Sequence, residues 1–279
     1  ALDAGKHVFC EWPLGRNVEE AREMAELARS RGVVTGIGLQ GHQDPTLAYV
    51  KDLHDHGWLG HMLSVNMTML TGGAGRSHSS TAWMGDVKNG ANLMTIVAGH
   101  CLDIVAYCFG PLSEVAASVA TTVPAWRLTD TDETIHVDAP DTVALTAELV
   151  GGGVLSFHVA SVPFNGGGWR MAAHGTLGSL VATTPGLPQI TPIALAGAQG
   201  EQPLGPLSVP ERLLSAPVRG AKGPTRNVAS AYARMSDAIR RGDPFIPDFE
   251  HAVGLHELLD VIEESSRSGR TVQIGTPRT

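Results

Sequence analysis

Several features that would each assign the chain to a functional class are rare or absent in this sequence. It contains no apolar run long enough to cross a bilayer, so no membrane partner is predicted. Lysine and arginine number 20 against 28 acidic residues and form no basic cluster, which argues against nucleic acid as a partner. The 279 residues are 43% hydrophobic, which is enough for a sizeable core in one or two domains.

Cysteine is also scarce. The three cysteines, Cys10, Cys101 and Cys108, form no C-x-x-C pair, which favours a reduced, cytoplasmic chain. The N-terminal stretch ALDAGKHVFCEWPLG has no basic region followed by an apolar one, so no signal peptide is predicted. A nucleophile elbow of the G-x-S-x-G type is absent as well, which removes the usual sign of a serine hydrolase.

The first part of the chain alternates between strand and helix patterns. Residues 7–11 form a short apolar strand pattern, and Asn17 can cap a helix that ends at Arg31 and Gly32. A second strand pattern covers 33–37, and Asp44 with Pro45 then begins a helix that runs to about Gly57. Strand, helix, strand and helix in this order predict a parallel α/β unit.

The remainder favours an open, mostly antiparallel sheet with helices. A helix is predicted in NLMTIVAGHCLDIVAYCFG, and two more over 227–241 and after Asp248 to about 268. Residues 185–224 are rich in proline and glycine and are interpreted as connecting loops. Strands are predicted at 61–71, 115–122, 142–150, 154–161, 169–174, 179–183 and 270–274, with hairpins around the glycines at 151–153 and at 175–178.

The stretch VVTGIGLQGHQDP contains the dinucleotide-binding pattern G-x-G-x-x-G at Gly36, Gly38 and Gly41. In a true fingerprint the third glycine lies in the first helical turn, but here the predicted helix starts after Gly41, at Asp44. The next strand also ends without the acidic residue that binds the ribose. We therefore interpret these glycines as the exit of a parallel strand rather than a pyrophosphate site.

Ligands of doubly wound sheets lie beyond the carboxyl ends of the strands. Glu11, Trp12 and Pro13 end the first predicted strand, and Gln40 and His42 follow the second. We expect these residues to line one crevice, although Gln40 and His42 can equally be ordinary loop residues.

Three segments resemble one known family. AGKHVFCEWPLGRNVEEAREM is similar to the Glu-Lys-Pro segment of the glucose–fructose oxidoreductase/inositol dehydrogenase (Gfo/Idh/MocA) family. Residues 90–103 resemble its Gly…Asp-x-x-x-His-x-x-Asp motif, with His100 and Asp103 in place, and GDPFIPDFEHAVGLHELLDVIEES resembles its C-terminal helix. The Glu-Trp-Pro variant is most similar to the subgroup related to the fungal galactose-pathway repressor.

The resemblance implies an α/β protein with an incomplete Rossmann-type parallel sheet in residues 1–42 and, in 43–279, a domain whose open sheet serves oligomerisation. It implies NAD or NADP as cofactor, a sugar or polyol as substrate, and a homo-oligomer. The family's glycine-rich loop precedes the Glu-Lys-Pro segment, so we interpret the chain as N-terminally truncated. Trp12 stands where the family has lysine, and Thr95 stands where its second motif has aspartate.

These replacements leave His100 as the candidate catalytic residue, since an imidazole titrates in the range that proton transfer needs. His100 on an apolar helix can also be a core residue, and Asp103 either orients its ring or faces solvent. The resemblance implies cofactor contacts from Glu11, Trp12, Pro13 and Gln40. It implies substrate contacts from Trp12, Trp83, Asn92, Thr95, His100 and Asp103, although Trp12, Trp83 and Asn92 can instead be packing residues.

No metal site is predicted, because His54, His56 and His61 do not share one helix face with a carboxylate.

The first hypothesis is an NAD(P)-dependent oxidoreductase acting on a sugar or polyol with an altered catalytic motif. The alternatives are a non-catalytic sensor of dinucleotide or sugar, which the loss of lysine and aspartate suggests, and an inactive fragment.

Overall fold

The computed structural model describes residues 1–214 and 224–275. The α-helices are α1 (Val18–Arg31), α2 (Pro45–Asp55), α3 (Gly99–Phe109), α4 (Pro224–Arg241) and α5 (Phe249–Ser268). The strands are β1 (Val8–Glu11), β2 (Thr35–Gly38), β3 (Met62–Gly72), β4 (Arg76–Ser77), β5 (Leu112–Ala120), β6 (Ala125–Leu128), β7 (Thr134–His136), β8 (Thr142–Leu149), β9 (Val154–Val162), β10 (Gly168–Gly175), β11 (Gly178–Thr184), β12 (Ala194–Gln199), β13 (Gly205–Pro206) and β14 (Val272–Gln273).

The N-terminal part forms the predicted parallel unit. β1 pairs with β2 in parallel, so that Glu11 lies opposite Gly38 at the carboxyl ends of both strands. Helix α1 connects them, and the side chain of Asn17 accepts a hydrogen bond from the backbone of Glu20 at the start of that helix. Helix α2 begins at Pro45, as predicted, and the carboxylate of Asp44 caps it.

A nine-stranded sheet dominates the rest of the described chain. Its order is β13-β12-β11-β10-β3-β9-β8-β5-β14, and every neighbouring pair is antiparallel except β3 and β9. Alternate residues of β8 and β9 are buried, and the segment before α3 packs against both strands, whereas α5 packs on the neighbouring β5. The α/β class with an open, mostly antiparallel sheet is thereby confirmed.

The structure corrects the sequence prediction in two loops. Residues 185–214, predicted as connections, contain β12 and β13, which extend the edge of the large sheet. The segment ALAGAQ has few β-branched residues, so its pairing with β11 rather than its own preference makes it a strand. A small sheet of β4, β6 and β7 was also missed. Residues 215–223 of the predicted loop lie outside the described residues.

The predicted helix over 92–110 consists of two parts. Leu93–Ala98 form a π-helical turn, and α3 continues from Gly99. Such turns hold one residue more than an α-helical turn and occur frequently at functional sites. Among the residues that the structure describes, no helix combines the length and apolar character that a membrane span requires.

Candidate functional site

The carboxyl ends of β1 and β2 lie side by side, as predicted. The side-chain amide of Gln40 donates a hydrogen bond of 2.9 Å to the carboxylate of Glu11. The carbonyl oxygen of the same Gln40 side chain is buried and accepts no hydrogen bond from any residue that the structure describes. The crevice therefore contains one fixed acidic group and one free acceptor.

At all three glycines of the G-x-G-x-x-G pattern, a side chain would meet neighbouring atoms at short distance. A Cβ at Gly36 would clash with the rings of Phe9 and Phe245, and a Cβ at Gly41 would lie 2.8 Å from Cγ1 of Ile104 in α3. Gly41 lies before α2, in a short 3₁₀ turn, and not in the first turn of a helix. This arrangement agrees with the interpretation that the motif is a close-packed strand exit.

Trp12 is buried between the π-helical turn and helix α5. It is 6% exposed, and its indole N–H donates a 2.8 Å hydrogen bond to the backbone carbonyl of Thr95. Its ring lies against His256, with 4.7 Å between the ring centres, and Gly99 allows the π-turn to approach it closely. The sequence leaves three roles open for Trp12: contact with a cofactor, contact with a substrate, and packing. This environment favours packing.

Asn92 and Thr95 use their side chains locally. The side-chain oxygen of Asn92 accepts from the backbone N–H groups of Met94 and Thr95, and the Thr95 hydroxyl accepts from the backbone N–H of Asn92. The two residues thus cap the π-helical turn reciprocally. Trp83, by contrast, is 51% exposed on a short 3₁₀ helix. Contacts of these three residues with a substrate stay predictions.

His100 lies in the first turn of α3 and is 6% exposed. Burial lowers the pKa of its imidazole to about 4, although the charge of Asp103 acts in the opposite direction. The ring is therefore neutral at pH 7 and has the protonation state of a base.

Asp103 makes its hydrogen bonds to two histidines that are distant in sequence. One carboxylate oxygen, Oδ1, lies 3.0 Å from Nε2 of His42 and 2.7 Å from Nε2 of His251. Burial alone would raise the pKa of Asp103, but the two imidazoles outweigh it and hold that pKa far below its usual range. The pKa of His251 is raised, because the hydrogen bond and charge of Asp103 outweigh the effect of its burial.

Sequence reasoning missed this cluster as a unit. His42, Asp103 and His251 come from the turn after β2, from α3 and from the first turn of α5. They are 61 and 148 residues apart, and no spacing rule brings such positions together. The sequence offered one indication, the carboxylate of Asp103 three residues after His100, for which two roles were left open: orienting the His100 ring or facing solvent. The structure buries this carboxylate against His42 and His251 instead.

A cavity of about 260 Å³ lies beside the π-helical turn. The glycine-rich stretch 72–75 and Arg76 form one wall, Trp126 and Met84 contribute apolar surface, and Ile96 and Val97 supply the helical wall. Asp141 also lines it, but its carboxylate already accepts hydrogen bonds from the backbone of Thr122 and Val123. The π-turn therefore has this cavity on one side and contacts Trp12 through the carbonyl of Thr95.

Two family models match consecutive parts of the chain. The model for the oxidoreductase family with an NAD-binding Rossmann fold (Gfo/Idh/MocA) matches residues 1–39. The model for the Gal80p C-terminal domain matches residues 45–183, which include β3, the π-turn, α3 and the hairpin of β8 and β9.

Individual proteins agree with both models. Dehydrogenase aclE of Aspergillus oryzae is 31% identical over 153 residues, which are 53% of this chain and 42% of that protein. The galactose/lactose metabolism regulatory protein GAL80 of Saccharomyces cerevisiae is 29% identical over 58% of this chain and 38% of its own length. The chain thus matches less than half the length of these two relatives.

A solved structure shows the same fold. Levoglucosan dehydrogenase in complex with NADH and L-sorbose superposes with a TM-score of 0.83 at 22% identity, covering 99% of this chain and 75% of that one. The parallel strand pair, the large open sheet and the motif helix all fall within this overlap. The chain belongs to the Gfo/Idh/MocA oxidoreductase family and carries a C-terminal domain of the Gal80p type.

Proposed function

We propose that the chain is part of an NAD(P)-dependent oxidoreductase that acts on a sugar or polyol. In this proposal residues 1–42 belong to the dinucleotide-binding domain and 43–279 to the substrate domain. The two family models meet between residues 39 and 45, which supports this boundary. The levoglucosan dehydrogenase structure, which holds NADH and L-sorbose, has the same fold and supports the class of cofactor and substrate.

The crevice at the ends of β1 and β2 fits the reactive end of a nicotinamide cofactor. It lies where doubly wound sheets bind ligands, and the unpartnered carbonyl oxygen of Gln40 can accept a hydrogen bond from a carboxamide. Glu11 holds the Gln40 side chain in place through its amide. Trp12, buried against Thr95 and His256, and the half-buried Pro13 follow Glu11 at this edge.

His100 is the residue to which we assign proton transfer, and its place at the motif histidine, in the first turn of α3 directly after the π-turn, is the observation that carries the proposal. Oxidation of an alcohol needs a base that takes the hydroxyl proton while the bound cofactor accepts the hydride. A neutral imidazole can take that proton at pH 7. Its lowered pKa makes it a weaker base than an exposed histidine.

A non-catalytic sensor is the second candidate, and Trp12 favours it. At the position of the family's lysine this chain has an indole that cannot transfer a proton and whose N–H is already bonded to Thr95. One relative, GAL80 of Saccharomyces cerevisiae, is a regulatory protein by name. In this alternative, a bound dinucleotide or sugar changes the affinity for a protein partner.

Turnover measurements distinguish the two candidates. The protein is assayed with NAD⁺ and NADP⁺ across a panel of sugars and polyols, and His100→Ala is compared with His56→Ala, a change at a surface histidine. Loss of a general base typically costs 10²–10⁴-fold, so we expect His100→Ala to lose turnover and His56→Ala to keep it. Full activity of His100→Ala would refute the assignment. Calorimetric binding of NADH without turnover on any substrate would favour the sensor.

The open face of the large sheet supports the proposal of a homo-oligomer. Ala144, Thr146, Ser156 and His158 lie on this face, which is shallow and only partly covered by the end of α5. Light scattering of the purified protein tests it: a monomeric mass would contradict the proposal. A cytoplasmic location stays a prediction from cysteine usage.

A further inference from the structure

We propose that His42, Asp103 and His251 form a binding site for a divalent transition-metal ion, with Zn²⁺ as the expected ion. The three residues offer two imidazole nitrogens and one carboxylate oxygen, and these atoms all lie within 4.8 Å of one another. Two histidines and one carboxylate are an established protein ligand set for zinc, with a water in the fourth position. This inference does not depend on the proposed oxidoreductase activity.

The distances require only small movements. Oδ1 of Asp103 lies 3.0 Å and 2.7 Å from the two Nε2 atoms. With metal–ligand bonds of about 2.0–2.2 Å, a tetrahedral site needs ligand atoms about 3.4 Å apart. The two contacts with Asp103 must therefore open by less than about 1 Å, and the two imidazole nitrogens, which lie within 4.8 Å of each other, must reach the same separation. Rotations of the imidazole rings can supply movements of this size.

A second observation points to a missing ligand. Asp103 is only 2% exposed, and its other carboxylate oxygen, Oδ2, is buried without a hydrogen-bond partner within residues 1–214 and 224–275. A buried carboxylate oxygen without a partner is costly, because it has lost its hydration without compensation. A cation beside the carboxylate, bound by one or both oxygens, would remove that cost.

The surroundings hold the three ligands in place. The ring of His42 packs on Tyr107 with 4.3 Å between centres and meets the ring of His251 edge-on. The backbone N–H of His251 donates to the side chain of Asp248, which fixes the first turn of α5. The ligand positions are thus determined by packing and by a helix cap.

In the metal-free state the Nε2 protons of both histidines can point at Asp103. A metal ion displaces these two protons to solvent, since each ring then coordinates through an unprotonated nitrogen. Binding is therefore expected to weaken as the pH falls. The bound ion connects three segments that are distant in sequence and raises the melting temperature by mass action.

Calorimetric titration of the chelator-treated protein with ZnCl₂, followed by visible spectroscopy with CoCl₂, tests the site. We expect one ion per chain and a visible spectrum that is typical of a Co²⁺ ion with a low coordination number. His251→Gln is the critical variant, because its amide can still donate to Asp103 while it is a much weaker metal ligand. His56→Gln, at an exposed histidine of α2, is the matched control.

His251→Gln should reduce zinc affinity at least tenfold and abolish the cobalt spectrum, whereas the metal-free melting temperature changes little. His42→Gln provides a second variant if His251→Gln proves unstable. Absence of binding at 100-fold molar excess of zinc would overturn the proposal. Equal affinity of His251→Gln and the unmodified protein would do the same, since the ion would then lie elsewhere.

Discussion

The protonation of His100 can be tested through stability. Its folded-state pKa is about 4, lowered by burial, whereas an unfolded histidine titrates near 6.5. A histidine whose pKa is lower in the folded than in the unfolded state stabilises the folded state at pH values above the unfolded-state pKa. That contribution is lost as the pH falls from about 6.5 to about 4, because the unfolded chain takes up the proton first.

The size of the effect follows from this difference in pKa. Each pKa unit corresponds to about 1.4 kcal/mol, so the full contribution is about 3 kcal/mol. Between about pH 7.5 and about pH 5.0 the linkage relation gives a loss of about 2 kcal/mol in the free energy of unfolding. His100→Gln has no such proton to bind, and its unfolding free energy should fall less over the same interval.

Urea unfolding followed by circular dichroism, at several pH values between 7.5 and 5.0, measures both proteins. Asp103 and His251 contribute to the pH dependence of both proteins. Their contributions largely cancel when the unfolding free energy of the variant is subtracted from that of the unmodified protein. His56→Gln, which changes an exposed histidine, should follow the unmodified protein. Equal pH dependence of His100→Gln and the unmodified protein would show that the pKa of His100 is not lowered in the folded state, and the reasoning from its burial would be refuted.

Further predictions concern packing. Trp12→Ala should cost about 3–5 kcal/mol of stability, because it removes a buried ring. Trp12→Phe should cost about 1–2 kcal/mol, because it loses the hydrogen bond to Thr95 but keeps most of the ring. The midpoints of urea unfolding check both values. Gly41→Ala should cost about 1–3 kcal/mol through contact with Ile104 and leave dinucleotide affinity within about twofold; a tenfold loss in calorimetry would restore the fingerprint interpretation. Asp141→Ala should cost about 2–3 kcal/mol in thermal unfolding, because the backbone N–H groups of Thr122 and Val123, which are partly buried, lose a charged acceptor.

Local rules predicted much of the architecture. Asn17 and Asp44 are caps whose side chains bond the backbone two or three residues ahead, so sequence alone located two helix starts. The glycines at 151–153 indicated the turn between β8 and β9, where Gly152 and Gly153 adopt positive φ. These features depend on neighbours in sequence, and therefore sequence was sufficient.

The candidate site was predicted in part. The residues that follow β1 and β2 meet as expected, because parallel strands bring their carboxyl ends to one edge. The environments of Trp12 and His100 were left open, since whether a side chain packs or stays free depends on residues far away in sequence. The folded structure decides both environments. The buried indole of Trp12 donates its N–H to the carbonyl of Thr95, and burial lowers the pKa of the His100 imidazole.

The sequence by itself determined the helix starts, the alternation of the large sheet and the family, because caps, periodicity and motifs are local properties. Only the tertiary structure decided that β12 extends the sheet, that Gly41 packs on Ile104, and that Asp103 pairs with His42 and His251 rather than with His100. These contacts join positions up to 148 residues apart, and their energies arise from burial and charge that exist only once the chain has folded.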